Sequence, residues 1–215
     1  MCSSVKPDEF GFVQAIDALK NGGIVAYPTE TFYGLAVDPE NDQAIDSLYA
    51  LKKREKTKPI SLLVPDLEYL SKLVSSIPKP YEKLIESFWP GPLTLIFPVL
   101  NNVLLKLIGG DKTIAIRISS NPVAEKLCVA MGKAITATSA NVSGEPALIT
   151  ATEVANLWGD KIACIIDGGS APGGKGSTIL RYSENKNECH IIRGGAISRD
   201  AITAILPFNY TICNT

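Results

Sequence analysis

The chain has 215 residues, 46% of them hydrophobic and 20% charged, a balance that suits one globular domain, residues 1–215, with a substantial core. Its formal net charge of -1 gives no overall case for binding nucleic acid, so any such case must rest on local clusters. No apolar run approaches the roughly 20 residues of a membrane span, and the opening MCSSVKPDEF lacks the apolar stretch of a secretory signal.

Five scattered cysteines with no C-x-x-C spacing argue against zinc and against a disulfide framework. A reducing, cytoplasmic setting with no membrane partner is expected.

In chain order, Phe10, Val13, Ile16 and Leu19 stand at helical spacing between Asp8 and Lys20, and Asn21-Gly22-Gly23 closes that helix. Ile24 to Tyr27 reads as a buried strand. Pro28 has no backbone donor and ends it, leaving a hydroxyl-rich loop from Pro28 to Gly34. Asn41 or Asp42 caps the next helix, with Ile45, Leu48 and Leu51 on one face. Five basic residues follow: Lys52, Lys53, Arg54, Lys56 and Lys58. Pro59 stops the segment, and Ile60 to Val64 reads as a second buried strand.

Asp66 to Ser75 and Pro80 to Phe88 read as helices. Trp89-Pro90-Gly91-Pro92 turns the chain into the strand Leu93 to Val99. Thr113 to Ile118 alternates as a strand and holds Arg117 in apolar surroundings. Asn121-Pro122 opens a helix through Met131. The strand Ala134 to Thr138 runs into a second hydroxyl-rich loop, Ser139 to Gly144. Thr150 or Thr152 caps a helix to Trp158, and Ala163 to Asp167 is an apolar strand. Gly168 to Gly176 holds five glycines, then Ser177 to Tyr182 and Cys189 to Arg193 read as paired strands. Ser198 caps a last helix through Leu206, and the tail after Pro207 carries no pattern.

Strands alternate with helices, but some strands follow one another directly. The expected fold class is α/β: a twisted, mixed parallel and antiparallel sheet with helices on its faces. Ligands of such sheets sit in the crevice at strand ends, where the loops at Pro28–Gly34, Thr138–Gly144 and Gly168–Ser177 can converge.

The available chemistry is narrow. His190 is the sole histidine, flanked by Cys189 and Ile191 in a strand pattern that buries it, so triad chemistry and His/Cys metal ligation lack support. Cys189 and His190 point to opposite strand faces. Gly169 to Lys175 matches G-x-x-x-x-G-K, but Gly176 stands where Ser or Thr is needed, and STILRY reads as a strand rather than a phosphate-binding helix.

Cations and hydroxyls remain. Arg54, Lys58, Arg117 and Arg193, with nearby Ser and Thr, suit a phosphate and a carboxylate held together, as in phosphoryl or nucleotidyl transfer. Two readings of Arg117 stay open: a structural bridge to Asp or Glu, or a fork that grips a ligand carboxylate.

These residues resemble the YrdC-like threonylcarbamoyl-AMP synthases. The motifs PTETFYGLA, Lys52-x-Arg54 through Lys58-Pro59, WPGPLT, T-x-A-x-R at Thr113–Arg117, TSANVSG, IIDGG, STI and I-R-G-G run in the family's order from Gly23 to about Gly195. The resemblance implies a nucleotidyltransferase that condenses L-threonine, bicarbonate and ATP into threonylcarbamoyl-AMP and pyrophosphate for tRNA modification. It implies that Thr31, Arg117 and Ser177 contact L-threonine, with Arg117 on its carboxylate. Arg54, Lys58, Thr113, Ser139, Asn141 and Arg193 would contact ATP, and Lys52, Arg54 and Lys58 would be the catalytic cations.

Mg²⁺ would arrive with ATP, and no tightly bound protein metal is expected. A downstream tRNA-threonylcarbamoyl transferase machinery would take the product. Some members carry a threonine-contacting histidine where Leu63 stands here, and longer members add a C-terminal domain, so the chain resembles the single-domain form. Two other readings are a double-stranded RNA or tRNA-binding module using the Lys52–Lys58 patch, and a YciO-like relative with weak synthase activity.

Overall fold

The computed structural model describes residues 3–100, 105–108, 111–206 and 210–214. After β1 (Ser3–Val5), Asp8 caps α1 (Glu9–Lys20) by accepting from the Gly11 amide. The buried face of α1 is Phe12, Ala15, Ile16 and Leu19, whereas Phe10 and Val13, expected inside, are 70% and 53% exposed. Two apolar stripes are available on this helix, and packing against the sheet selects the one with the small Ala15.

β2 (Val25–Pro28) and β3 (Tyr33–Ala36) form an antiparallel hairpin in which Pro28 pairs with Tyr33. The segment read as a loop to Gly34 is therefore a tight turn of residues 29–32 plus the start of a strand. Thr29 staples that turn: its hydroxyl donates to the Phe32 carbonyl at 2.7 Å and accepts from the Thr31 and Phe32 amides. Asn41 caps α2 (Asp42–Leu51), which buries Ile45 and Leu48, and β4 (Ser61–Leu63) follows.

Next come α3 (Leu67–Leu73), α4 (Lys79–Phe88), β5 (Leu93–Pro98) and β6 (Thr113–Arg117). Asn121 caps α5 (Pro122–Met131), whose left-handed Gly132 ends it. β7 (Ile135–Ser139), α6 (Ala151–Trp158), β8 (Cys164–Ile166), β9 (Thr178–Ser183), β10 (Glu188–Arg193), α7 (Arg199–Ile205) and β11 (Thr211–Asn214) complete the described elements. The tail read as patternless thus carries a strand, which pairs in parallel with β10. Short edge strands such as β1 and β11 owe their form to a partner rather than to local periodicity.

Among the described residues the strands join into one eleven-stranded sheet in the order β1-β8-β2-β3-β7-β4-β6-β5-β9-β10-β11. Parallel neighbours (β1–β8, β8–β2, β4–β6, β5–β9, β10–β11) are interspersed with antiparallel ones (β2–β3, β3–β7, β7–β4, β6–β5, β9–β10), as the mixed-sheet expectation requires. One core cluster joins the sheet to α2, α3, α4, α6 and α7; a second, smaller one, with Leu63, Ile135 and Cys164, packs under α1 and α5. No described helix is long and apolar enough to cross a membrane.

Candidate active site

A cavity of about 290 Å³ opens where the middle strands end. Its walls come from the ends of β2, β6, β7 and β10 and the starts of β3, β4, β5 and β9, the crevice position expected of an open sheet. Thr31, Arg54, Arg117, Ser139, Ser177 and Arg193, all named from sequence, line it together. The three loops expected to meet do so. The Gly173 amide donates to the Thr31 carbonyl at 2.7 Å, the Tyr33 hydroxyl to the Gly169 carbonyl at 2.8 Å, and the Ala140 amide to the Tyr33 carbonyl at 2.7 Å. Gly169, Gly173 and Gly174 take φ of 84°, 73° and 81°, a backbone that side chains other than glycine rarely adopt.

Arg117 is 6% exposed and forms an ion pair with Glu30, whose other oxygen accepts from the Ser119 hydroxyl. The structure thus shows the bridge reading of Arg117, and the same residue also lines the cavity. A buried pair of this kind is costly to break, about 3–5 kcal/mol when one partner is removed.

Arg193 donates to the Ser177 carbonyl at 2.9 Å and to its hydroxyl at 3.0 Å. The Thr94 hydroxyl also donates to Ser177 Oγ at 2.9 Å. With both acceptor positions of that oxygen filled, its own hydrogen is left to donate toward the cavity. Arg54 anchors on the carbonyls of Lys58 and Pro59, at 2.8 and 2.9 Å. Burial lowers the pKa of Arg193, and Arg117 and Arg54 add to the shift through like-charge repulsion. Three guanidiniums thus line the cavity, and an anion placed beside Arg193 would relieve the repulsion it feels from the other two.

Lys52 is 2% exposed and donates to the main-chain carbonyls of Ser139 and Asn141, the second at 2.6 Å. Burial and then Arg54 push its pKa down to about 7. Asn141 accepts from the Ser139 hydroxyl and donates to the Glu145 carbonyl, so the TSAN segment is held from both sides. Lys52 and Asn141 stand behind the cavity wall as supports of Ser139.

Other expected residues stand apart. Lys58 is exposed and pairs with Glu55 at 3.3 Å, and Thr113, at the far end of β6 from Arg117, donates to Asp111 at 2.6 Å. Leu63 is buried in the smaller core cluster, and Ser61, two residues earlier, lines the cavity instead. The basic patch is also less available than its sequence implies, since Lys52 is buried and Lys56 pairs with Asp46 at 2.8 Å.

Glu30, Ser119, Thr94 and Ser61 were not singled out from sequence. Glu30 had a signal: a carboxylate inside a hydroxyl-rich turn beside a cavity is the partner that a buried arginine requires. Thr94 and Ser61 had none, because their role depends on strand neighbours.

The Sua5_yciO_yrdC family model, described as telomere recombination, matches residues 17–195. A curated relative, threonylcarbamoyl-AMP synthase of Vibrio cholerae, is 40% identical over 157 residues, covering 72% of this chain and 84% of the relative. The crystal structure of P. abyssi Sua5 complexed with L-threonine superposes with a TM-score of 0.90 at 32% identity, over 99% of this chain; the chain spans 62% of that one. E. coli YciO superposes with a TM-score of 0.81 over 91% of this chain and 97% of YciO, and at 24% identity this likeness concerns the fold alone. With the matched segment covering most of its length, the chain belongs to the Sua5/YciO/YrdC family.

Proposed function

We propose that the chain, acting as one YrdC-like domain, is an L-threonylcarbamoyladenylate synthase that condenses L-threonine, bicarbonate and ATP and releases pyrophosphate. One observation carries the reading: Arg54, Arg117 and Arg193 share a single cavity with the hydroxyls of Thr31, Ser139 and Ser177. In support, the Vibrio cholerae relative is named for making threonylcarbamoyl-AMP, and P. abyssi Sua5 is complexed with L-threonine.

Arg117, Thr31 and Ser177 form the amino-acid end: the guanidinium takes the threonine carboxylate, and hydroxyls meet its polar side chain. Arg54, Arg193 and Ser139 form the nucleotide end, where two guanidiniums offset phosphate charge. Lys58 is free to swing from Glu55 onto the triphosphate, because an exposed pair costs at most about 1 kcal/mol to break. Bicarbonate condenses with the threonine amine to give a carbamate, with loss of water. A carbamate oxygen then bonds to the α-phosphorus as the bond to pyrophosphate breaks. No protein nucleophile is required, and the sole histidine is not among the cavity residues. Catalysis consists of positioning and charge neutralisation.

The described residues lining the cavity include no carboxylate, and Glu30 is engaged by Arg117 and Ser119. Such a donor set suits Mg²⁺ carried on the triphosphate, with Thr31, Thr138 and Ser139 as the oxygens available to touch it. Once there, the ion neutralises phosphate charge. The product would pass to a tRNA-threonylcarbamoyl transferase machinery. The test is pyrophosphate release from ATP, which should require both L-threonine and bicarbonate; release that ignores threonine would sink the reading.

A further inference from the structure

The chemistry outside the cavity concentrates where β11 meets β10. His190 on β10 is in register with Cys213 on β11, and Glu188 lies two residues before His190, so all three side chains leave the same face of the sheet. A carboxylate oxygen of Glu188, a ring nitrogen of His190 and the sulfur of Cys213 lie within 4.8 Å of one another. Glu188 and His190 are in contact, at 3.0 Å from Oε2 to Nε2. Each of the three is half-buried, and Cys213 forms no disulfide. The opposite face of β10, with Cys189 and Ile191, is core.

We propose that Glu188, His190 and Cys213 form a binding site for a divalent transition metal of the Zn²⁺ type. The donor set is one oxygen, one nitrogen and one sulfur. It suits a borderline-soft ion and not Mg²⁺ or Ca²⁺, which take oxygen ligands. Bonds of roughly 2.0–2.3 Å in a tetrahedron put donors about 3.3–3.7 Å apart, so small side-chain rotations close the present spacing. Three protein ligands leave the fourth position for water. The adjoining depression, lined by His190, Ser183 and Glu184, gives the ion a path from solvent.

Two cations stand near among the described residues. Arg181 is the cross-strand neighbour of His190 on β9, with its charge offset by Asp111, and Arg199 is tied to the Ile212 carbonyl at 2.7 Å, beside Cys213. The consequence of binding is mechanical. Cys213 belongs to the last described strand, which among the described residues pairs with β10 alone, and the ion would clamp that strand to the sheet.

Zn²⁺ and Co²⁺ are titrated into the chelator-treated full chain and into Cys213→Ser, His190→Ala and Glu188→Gln. One ion per chain is expected, with micromolar or tighter affinity and a rise in Tm of a few degrees. The Co²⁺ complex should show a near-ultraviolet thiolate charge-transfer band that Cys213→Ser abolishes. Zn²⁺ affinity should fall at least tenfold in His190→Ala and in Glu188→Gln. Circular dichroism before metal addition keeps a folding defect separate from a lost ligand. Affinity weaker than millimolar in the parent chain, or equal affinity in the parent and all three folded variants, would overturn the site.

Discussion

Arg117 and Glu30 form a buried ion pair beside the cavity, with Ser119 bonded to the same carboxylate. The position that a carboxylate ligand of Arg117 would take is held by a group of its own kind. Under the proposed function, Glu30 and the threonine carboxylate would compete for the one guanidinium.

Glu30→Gln should destabilise the ligand-free chain by about 3 kcal/mol, since the buried guanidinium loses its counter-charge. Saturating L-threonine should recover more stability in the variant than in the parent, because the ligand restores the missing anion. Urea unfolding with and without threonine measures both. Equal stabilisation by threonine in the two proteins would mean that Glu30 and the ligand do not share Arg117.

Arg117→Ala should abolish threonine-dependent pyrophosphate release, with threonine affinity reduced at least a hundredfold by calorimetry. Unchanged affinity in a folded variant would assign Arg117 to structure alone.

Lys58→Ala and Arg54→Ala separate ligand contact from support. Lys58 is exposed, so its loss should raise the KM for ATP several-fold and shift unfolding by less than about 0.5 kcal/mol. Arg54 ties down the carbonyls of Lys58 and Pro59, so its loss should affect ATP affinity and stability together. A large stability loss in Lys58→Ala would contradict this division.

Lys52 makes stability depend on pH in a set direction. Its pKa falls from 10.5 to about 7 on folding because burial disfavours the ammonium, with Arg54 adding repulsion. Between these two values the unfolded chain binds a proton that the native chain does not, so stability rises with pH across that window. Below about pH 7 both forms are protonated and the penalty is present in full. Above about 10.5 it is gone. Unfolding of the parent and Lys52→Met from pH 6 to 11 should show the rise flattened in the variant; parallel curves would mean that Lys52 stays charged throughout.

Gly195→Ala tests the closing I-R-G-G. A Cβ there would meet the Gly176 carbonyl oxygen at 2.3 Å and the Ser177 carbonyl carbon at 2.5 Å, all rigid backbone. A loss of at least 2 kcal/mol is expected, with ATP affinity falling as Ser177 and Arg193 are pushed apart. Activity and stability like the parent's would show that the two segments can separate freely.

Much of this was legible in the chain, for local reasons. Asn121-Pro122 announces α5 through a capping side chain and a residue with no amide to satisfy. Arg117 in an apolar strand demands an anion, and it has one. What escaped depends on partners. YGLA becomes β3 because a threonine-stapled turn lays it against β2, and TICN becomes β11 only beside β10. Half-burial of His190, read from its neighbours as buried, and its meeting with Cys213 follow from that same late strand. Phe10 and Val13 fit a helical stripe as well as Phe12 and Leu19 do, and the sheet decides between them.

The cavity takes its walls from Tyr27 at one extreme of the sequence and Gly194 at the other, with β4, β5, β6 and β7 between. No fragment shorter than the span from Tyr27 to Gly194 holds the whole pocket. A nascent polypeptide gains it only after β10 has been synthesised and added to the sheet, so competence arrives late and all at once. A substrate bound there would tie together strands from across the sheet, and protease resistance at sites remote from the pocket should climb together when substrate is added.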